Sequence, residues 1–516
     1  MSKKPAYSKY LSHPLLLLVL LTFAIFLILL PLAQKVNFMQ NDDWIYYEMV
    51  GRFLKGDFTL HPYVAASFYS QGILGVVFAG AFGLTKLPIL TLIISCLNFL
   101  VFTMILNRFM HKGLLVSVVG GLLFFANPLH IYSTWSFMTE NYFLFFLLVS
   151  IYFVYSFSLN HRLRDFIFAN IFIILGYLVR QLSLIASLGF AIYLLFNKKY
   201  KLGLLQLGIL FTVLVLHYNL FPLTPAMYDG NLEFYNLFDL PYLFTNIAAC
   251  LIYVAAFSLP LLVLVLSKSA YSKKNYILCG VFFILAMVVV FKFFNPKLLS
   301  WGEFPYYQNT VERKGFYPRD IEGTKYSFRF IYDLYLYWEI AAKLGACLLA
   351  TYLFGRVLTR KFSPAFIFFA IYLGILLITP DMYDRYLLPL VMLGLLLILE
   401  ALPTFNEFSY LTAIPFLLFI MFYSYMFSQD FVIANNYIWN KSQQLVSENL
   451  KGDQIYAGYS WRRTYGMSTL PSYKFSYDSL QIRPEDKCCW EVSVQKDIEF
   501  PFNLFINPKI YLYKRL

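Results

Sequence analysis

Two adjacent carboxylates, Asp42 and Asp43, follow the first long apolar run in "MQNDDWIYYEMVGRFLKGDF". A carboxylate held near a membrane surface is partly removed from water and is suited to act as a general base. The alternative is helix capping, in which Asn41, Asp42 or Asp43 starts a helix that runs to Leu54. Because two adjacent side chains cannot both cap one helix, we expect one of them to face a cleft.

A third carboxylate, Glu140, opens another apolar run in "STWSFMTENYFLFF". Glu140 either lies in the first turn of a helix that Thr139 caps, or it is a second acidic group that faces the same cleft as Asp42. A cation, Arg180, interrupts "IFIILGYLVRQLSLIASLGF". It either marks a turn at the membrane interface or binds an anion.

A second cation, Arg385, stands in "PDMYDRYLLPL" between Asp384 and Tyr386. A salt bridge to Asp384 is one reading. Phosphate binding is the other, because a guanidinium makes bidentate contacts with phosphate oxygens. Together, Arg180 and Arg385 would form a pocket for a lipid phosphate at the membrane surface.

Weaker candidates for the same cleft are His61, Tyr46 and Asp384. The histidines are scattered and show no metal-binding spacing, so the sequence predicts no firm metal site and leaves a divalent metal open as a cofactor. The long segment 295–331 mixes charged and aromatic residues, which suits a cover over a binding cleft.

The elements that hold these residues are apolar. The 516 residues are 60% hydrophobic and 13% charged, with a mean hydropathy of +0.63. We therefore predict an all-α polytopic membrane protein of about 13 transmembrane helices. The predicted spans are 14–32, 87–107, 113–127, 137–158, 165–179, 182–197, 202–220, 242–266, 276–294, 332–355, 363–379, 386–402 and 409–427.

The distribution of Lys and Arg fixes the predicted orientation. If 70–84 lies in the interface instead of spanning, every short basic loop falls on one side, so the N-terminus is predicted to be cytoplasmic and the C-terminus extracytoplasmic. The net charge of +13 then reflects topology and predicts no nucleic-acid partner. We predict a membrane module over 1–427, with interfacial helices in the outer loop 33–86, and a small α/β extracytoplasmic domain over 428–516.

The motifs together resemble the polytopic GT-C glycosyltransferases, in particular protein O-mannosyltransferases and lipid A aminoarabinose transferases. The resemblance covers about 15–410. It rests on four segments in order: "DDWIYYEMVGRFLKGDF", "FMTENYF", "GYLVRQ" and "RYLLPLVMLGLLLILEAL". The chain departs from the family where Asp43 replaces Glu and where the Lys-Pro-Pro before the interfacial helix is absent, which leaves metal use open.

The resemblance implies transfer of a sugar from a polyprenyl-phosphate donor to an acceptor on the outer face, with inversion. In that reaction Asp42 would be the general base, and Asp43 and Glu140 would orient the acceptor or tune Asp42. Arg180, Arg385 and Tyr386 would hold the donor phosphate. The acceptor could be a protein, a lipid or a glycan, and membrane lipids surround the protein. A bacterial inner membrane is expected. The alternatives are a transporter or flippase of lipid-linked sugars and a non-catalytic glycan-assembly partner.

Overall fold

The computed structural model describes residues 12–220, 224–228, 234–266, 273–300, 302–307, 309–313, 315–317, 320–321, 329–360, 362–379, 382–402, 413–466, 468, 471–477, 490–497 and 509–516. Most of these residues are helical. The helices are α1 (Ser12–Lys35), α2 (Asp43–Leu54), α3 (Tyr69–Phe82), α4 (Leu87–Arg108), α5 (Leu114–Phe125), α6 (Pro128–Thr134), α7 (Thr139–Asn160), α8 (Leu163–Tyr177), α9 (Leu184–Phe196), α10 (Tyr200–Leu220), α11 (Pro225–Tyr228), α12 (Leu240–Ala256), α13 (Leu259–Leu266), α14 (Lys273–Val288), α15 (Arg329–Leu358), α16 (Pro364–Leu376), α17 (Leu388–Ala401), α18 (Ile414–Ser447) and α19 (Tyr459–Tyr465).

Short turns and strands complete the chain. Single turns of 3-10 helix occur at Leu84–Lys86, Gln181–Ser183, Phe234–Leu237, Pro296–Leu298, Asp384–Leu387 and Gly452–Gln454, and a π-helical turn at Val289–Phe293. The strands are β1 (Val311–Glu312), β2 (Gly315–Phe316), β3 (Ile455–Tyr456), β4 (Tyr473–Ser476), β5 (Trp490–Asp497) and β6 (Lys509–Arg515).

Each predicted span coincides with a helix wherever the chain is described; the start of the predicted span 409–427 lies outside the described residues. Within those residues, seven helices are long and apolar enough to cross a bilayer, and α5 with α6, bent by 66°, makes an eighth candidate. The all-α polytopic fold class is confirmed, but fewer helices than thirteen reach full spanning length. Several predicted spans form helices of 13 to 15 residues, such as α8, α9 and α16. These are shorter than the roughly 20 residues that a straight crossing needs.

The centre of the bundle is α17. Its residues are apolar on every side and buried from Leu388 to Leu399, which is the pattern of a helix surrounded by other helices. It packs against α12, α16 and α5. A Cβ on Gly394 would lie 2.4 Å from Val254 of α12, so only glycine allows this close approach. The start of α17 therefore occupies a fixed place among its neighbours.

The C-terminal end of α17 makes a separate set of polar contacts. Glu400 pairs with Arg356 of α15 at 3.3 Å and accepts a hydrogen bond from the Tyr155 hydroxyl of α7 at 3.1 Å. Lys112, before α5, donates to the carbonyl oxygen of Leu402. These groups belong to the end of the bundle that the distribution of Lys and Arg predicts to be cytoplasmic.

The C-terminal part forms a small mixed α/β unit. Its four strands are ordered β3-β4-β6-β5, with β3 parallel to β4 and the other neighbours antiparallel. The segment "DQIYAGYSW" forms the short strand β3 and then begins α19. The helix α18 continues to Ser447, past the predicted boundary at 427, so the membrane module and this unit share one long helix.

Candidate active site

Asp43 has a structural position at the start of α2. One of its carboxylate oxygens accepts from the backbone N–H of Gln40 and the other from that of Phe137, each at 3.0 Å. These bonds tie the turn before α2 to the segment before α7. Burial raises the pKa of Asp43 well above its ordinary value, although both N–H bonds act in the opposite direction. Asp43 thus fixes the local backbone.

Asp42 is the member of the pair whose carboxylate does not cap the helix. It occupies the N-cap position of α2, but its side chain makes no capping hydrogen bond. Its carboxylate lies 3.3 Å from Nη1 of Arg385, and about a quarter of the side chain (26%) is exposed. The sequence predicts that one of the two carboxylates faces outward, and Asp42 is that residue.

Four charged side chains meet here, and we call them the charged cluster: Asp42, Glu140, Arg180 and Arg385. Nε of Arg385 lies 3.6 Å from Oε1 of Glu140, and Nη2 of Arg180 donates to the same oxygen at 3.0 Å. The charges therefore alternate along a continuous chain. The side chains of Glu140, Arg385 and Arg180 are only 3%, 9% and 13% exposed.

Four separate segments bring the cluster together, and each member sits at or beside the end of a helix. Asp42 precedes α2, Glu140 lies in the first turn of α7, Arg180 follows α8 in extended conformation, and Arg385 lies in the 3-10 turn before α17. A carboxylate in the first turn of α7 also interacts favourably with the positive end of that helix. The sequence places all four on one predicted face, and the structure brings them together; their roles stay a prediction.

Tyr386 lies between the two cations. The guanidinium carbons of Arg180 and Arg385 are 5.4 and 5.5 Å from the centre of its ring, within the range of cation–π contact. Tyr46, on α2, is buried, and its ring stacks on that of Phe68 with centres 5.0 Å apart. The charges of the cluster act on the Tyr46 hydroxyl. Burial raises the pKa of Tyr46. The two cations contact one ring, and the carboxylates of Asp42 and Glu140 balance their charges.

Two polar atoms of the cluster have no hydrogen-bond partner among the described residues: Oε2 of Glu140 and Nε of Arg385. Buried polar atoms are nearly always paired in folded proteins. A water molecule or a polar ligand at this position would satisfy both atoms.

Asp384 does not form the salt bridge with Arg385 that the sequence left open. It is buried, and its Oδ2 accepts from the backbone N–H groups of Thr310 at 3.0 Å and Val311 at 2.8 Å. Burial raises the pKa of Asp384 from 3.8 to about 7. The residue holds the β1–β2 hairpin of segment 295–331 against the turn that carries Arg385, which agrees with the predicted cover.

Asn41 is a contact residue that sequence reasoning did not assign to the site. Its amide nitrogen donates to the Tyr132 hydroxyl and to the Asn309 side chain, both at 3.1 Å. Its backbone carbonyl oxygen accepts a hydrogen bond from the Ser460 hydroxyl at 2.7 Å. Three distant segments therefore close on the turn before α2. The only signal in the sequence is that Asn41 precedes Asp42.

His61 packs edge-on against Trp44, with ring centres 5.9 Å apart, and its Nδ1 accepts from the backbone N–H of Tyr63. These contacts place it among the aromatic residues around α2 and not in the ion-pair chain. Within the part of the chain that the structure describes, no three His, Cys, Asp or Glu residues lie close enough together to hold a metal ion.

No protein-family model matches the chain, and no curated protein matches it. Among solved structures, the chain is similar to ArnT from Cupriavidus metallidurans bound to undecaprenyl phosphate. The two are 13% identical with a TM-score of 0.44, and the alignment covers 84% of this chain and 72% of ArnT.

Proposed function

We propose that this protein is a membrane glycosyltransferase that takes its sugar from a polyprenyl-phosphate donor. The observation that supports this most is the charged cluster, in which two carboxylates and two arginines from distant segments meet beside the ends of apolar helices. A lipid-linked donor reaches such a site from the membrane, and its phosphate is its own leaving group. The chemistry then requires a phosphate site and a base.

Arg180 and Arg385 are the proposed phosphate site. Each guanidinium has five N–H groups, and the contacts with Asp42 and Glu140 use only some of them. Both guanidinium groups lie within cation–π distance of Tyr386 and contact Glu140, so a phosphate between them would relieve their mutual repulsion. Fixed cations at a leaving phosphate stabilise the negative charge that develops there in the transition state.

Asp42 is the proposed general base. It is the most exposed member of the cluster, whereas Glu140 lies beneath it and is almost buried. When a donor phosphate engages Arg385, the carboxylate of Asp42 would exchange that guanidinium for the hydroxyl of the acceptor. Glu140, whose Oε1 contacts both arginines, would hold the two guanidinium groups next to each other.

The proposed step is a single displacement. The acceptor oxygen forms a bond to the anomeric carbon of the sugar while the bond from that carbon to the phosphate oxygen breaks. The acceptor proton goes to Asp42, and the electron pair of the broken bond stays on the polyprenyl phosphate. The configuration at the anomeric carbon is inverted. This outcome follows from the displacement itself and is part of the proposal.

The test uses the purified protein in lipid nanodiscs with a panel of polyprenyl-phosphate sugars. The measured quantity is free polyprenyl phosphate, for wild type, Asp42→Asn and the control Asp57→Asn. Asp57 lies in the same loop, but it is exposed, and among the described hydrogen bonds its carboxylate accepts only from Thr59. A catalytic base contributes about 10²- to 10⁴-fold, so we expect a loss of at least 10²-fold in Asp42→Asn and little change in Asp57→Asn.

Full activity in Asp42→Asn would refute the assignment of the base. If wild type released no polyprenyl phosphate from any donor, with or without added acceptors, the transferase would be excluded in favour of a transporter or an assembly partner.

A further inference from the structure

Asp42 lies in a tight turn, and the geometry of this turn sets the direction of its side chain. The turn runs from Gln40 to Asp43 and is closed by a hydrogen bond from the backbone N–H of Asp43 to the carbonyl oxygen of Gln40 at 2.9 Å. Its central residues are Asn41, with φ +47°, and Asp42, with φ −87° and ψ 6°. A positive φ followed by these values is the pattern of a type II′ turn, and Asn is one of the residues that tolerate the first position.

The carbonyl group of Asn41 belongs to the central peptide unit of this turn. Turns of types II′ and I′ differ by a rotation of that unit through roughly 180°, which changes ψ of the first central residue and φ of the second. The direction of the Asn41 carbonyl is therefore tied to φ of Asp42. That dihedral angle in turn determines where the side chain of Asp42 leaves the backbone.

Ser460 holds this carbonyl. Its hydroxyl donates a hydrogen bond to the backbone oxygen of Asn41 at 2.7 Å, and both residues are buried. The two residues are 419 positions apart. The bond joins the first turn of α19, in the C-terminal α/β unit, to the peptide unit that orients Asp42.

The helix α19 is a firm support for Ser460. Its next residue, Trp461, is fully buried, and the Trp461 ring packs edge-on against that of Trp439 in α18 with centres 5.0 Å apart. The indole nitrogen of Trp461 donates to the carbonyl oxygen of Gly452 at 3.0 Å. Because these contacts fix α19, the Ser460 hydroxyl has a defined position relative to the turn.

The side chain of Asn41 holds the turn from two further directions. Its Nδ2 donates to the Tyr132 hydroxyl of α6 and to the side chain of Asn309 in segment 295–331. Three segments thus restrain the residue before the proposed base. Such restraint matters for catalysis, because a misplacement of about 1 Å in a reacting group can cost roughly 10²-fold in rate.

We propose that Ser460 is a positioning residue for the transfer reaction. By holding the Asn41 carbonyl, it fixes the orientation in which the Asp42 carboxylate meets the acceptor hydroxyl. The C-terminal α/β unit thereby takes part in catalysis through a backbone contact. This role rests on the function proposed for the charged cluster.

The test compares Ser460→Ala with Ser442→Ala in lipid nanodiscs. Ser442 is also buried, but its hydroxyl donates to the carbonyl oxygen of Ile438 within α18 at 2.8 Å. Each variant loses one buried hydroxyl of the C-terminal part. Release of polyprenyl phosphate from the donor that wild type turns over gives kcat and KM, and each variant is also made in the Asp42→Asn background.

We expect Ser460→Ala to lower kcat about 10- to 10²-fold and to change KM for the donor by less than about twofold, because the phosphate site is intact. Ser442→Ala should keep both values. In the Asp42→Asn background, Ser460→Ala should change the residual rate by less than about twofold, since no base is left to position. A purely structural role would lower the rate equally in both backgrounds.

Hydrogen exchange gives a readout that does not depend on turnover. The backbone amides of Asp43 and Ile45 donate to the carbonyl oxygens of Gln40 and Asp42, so they report on the turn. Exchange in a peptide covering 39–47, followed by mass spectrometry, should be faster in Ser460→Ala than in wild type and unchanged in Ser442→Ala.

Unchanged exchange or unchanged kcat in Ser460→Ala, or the same fold-loss in the Asp42→Asn background as in wild type, would overturn the inference. The same assay separates this failure from that of the function itself. If wild type turns over a donor and Ser460→Ala matches it, the transferase stands and the positioning role is removed. If wild type turns over no donor, the transferase is removed and the positioning role with it.

Discussion

At the scale of single residues, two adjacent aspartates have different surroundings. Both oxygens of Asp43 accept backbone N–H groups, whereas Asp42 makes no capping bond and pairs with Arg385. The sequence indicates that one of the two carboxylates is not needed to cap the helix, but it does not show which one. The deciding partner of Asp43 is Phe137, which lies 94 residues further along the chain.

This difference predicts separate effects on stability. We expect Asp43→Leu to lower the free energy of unfolding by about 2 to 6 kcal/mol, because it leaves two buried N–H groups unpaired at roughly 1 to 3 kcal/mol each. Asp43→Asn should cost less, since its amide oxygen still accepts one of them. The apparent melting temperature in nanodiscs measures both. Equal melting temperatures for Asp43→Leu and the exposed control Asp57→Leu would contradict the structural role.

The two arginine–glutamate pairs at opposite ends of α17 provide a matched comparison. Arg385 contacts Glu140 in the charged cluster, and Arg356 contacts Glu400 at the other end; both arginines are largely buried. A lysine keeps the charge but loses the planar fork that binds phosphate. We expect Arg385→Lys to reduce release of polyprenyl phosphate at least about tenfold, and Arg356→Lys to change it by less than about twofold. Equal losses would indicate a purely structural role for Arg385.

At the scale of elements, the sequence predicts the helices well and their ends less well. Apolar runs locate α7, α8 and α17, the capping residues locate α2, and the distribution of Lys and Arg puts Glu140, Arg180 and Arg385 at the same end. The sequence does not show that several of these runs form helices too short for a straight crossing of the membrane. In α8 one face packs on neighbouring helices while Ile167 and Ile171 stay exposed, and composition alone does not distinguish such a helix from one that crosses the membrane.

The predicted end of α18 is too early, so this helix is longer than the sequence indicates. Its apolar part ends near 427, where "SQDF" begins, and the predicted span stops there. In the structure Ser428, Gln429 and Asp430 are buried, so the helix continues through them. A polar residue in a sequence indicates exposure only until tertiary packing covers it.

Asp384 connects two elements, and its titration should be visible in stability. The folded state raises its pKa from 3.8 to about 7, so the folded protein binds more protons than the unfolded chain between these values. The stability that this group contributes is therefore complete below about pH 4 and is lost as the pH rises through about 7. Asp384→Asn keeps an acceptor for Thr310 and Val311 but cannot ionise. We expect the melting temperature of Asp384→Asn, relative to wild type, to increase from pH 5.5 to pH 8. A difference that is constant across this range would contradict the shift.

At the scale of the whole molecule, the charged cluster and the Glu400 contacts mark two ends of one bundle. Glu400 lies fifteen residues after Arg385, which corresponds to about 22 Å along a helix. The loops rich in Lys and Arg belong to the Glu400 end, so the positive-inside rule assigns the cluster and the C-terminal sheet to the extracytoplasmic face. This orientation stays a prediction.

Labelling of single cysteines tests the orientation. The four described cysteines are buried, so replacing Cys488 and Cys489 by Ser gives a suitable background. A membrane-impermeant maleimide added to intact spheroplasts should label Lys451→Cys, in the exposed turn after α18. It should label Asn197→Cys, in the exposed turn after α9, only once the membrane is permeabilised. The reverse pattern would place Asp42 in the cytoplasm. The proposed chemistry could still occur there, but the donor would have to present its sugar on the cytoplasmic leaflet, and the distribution of Lys and Arg would need another cause.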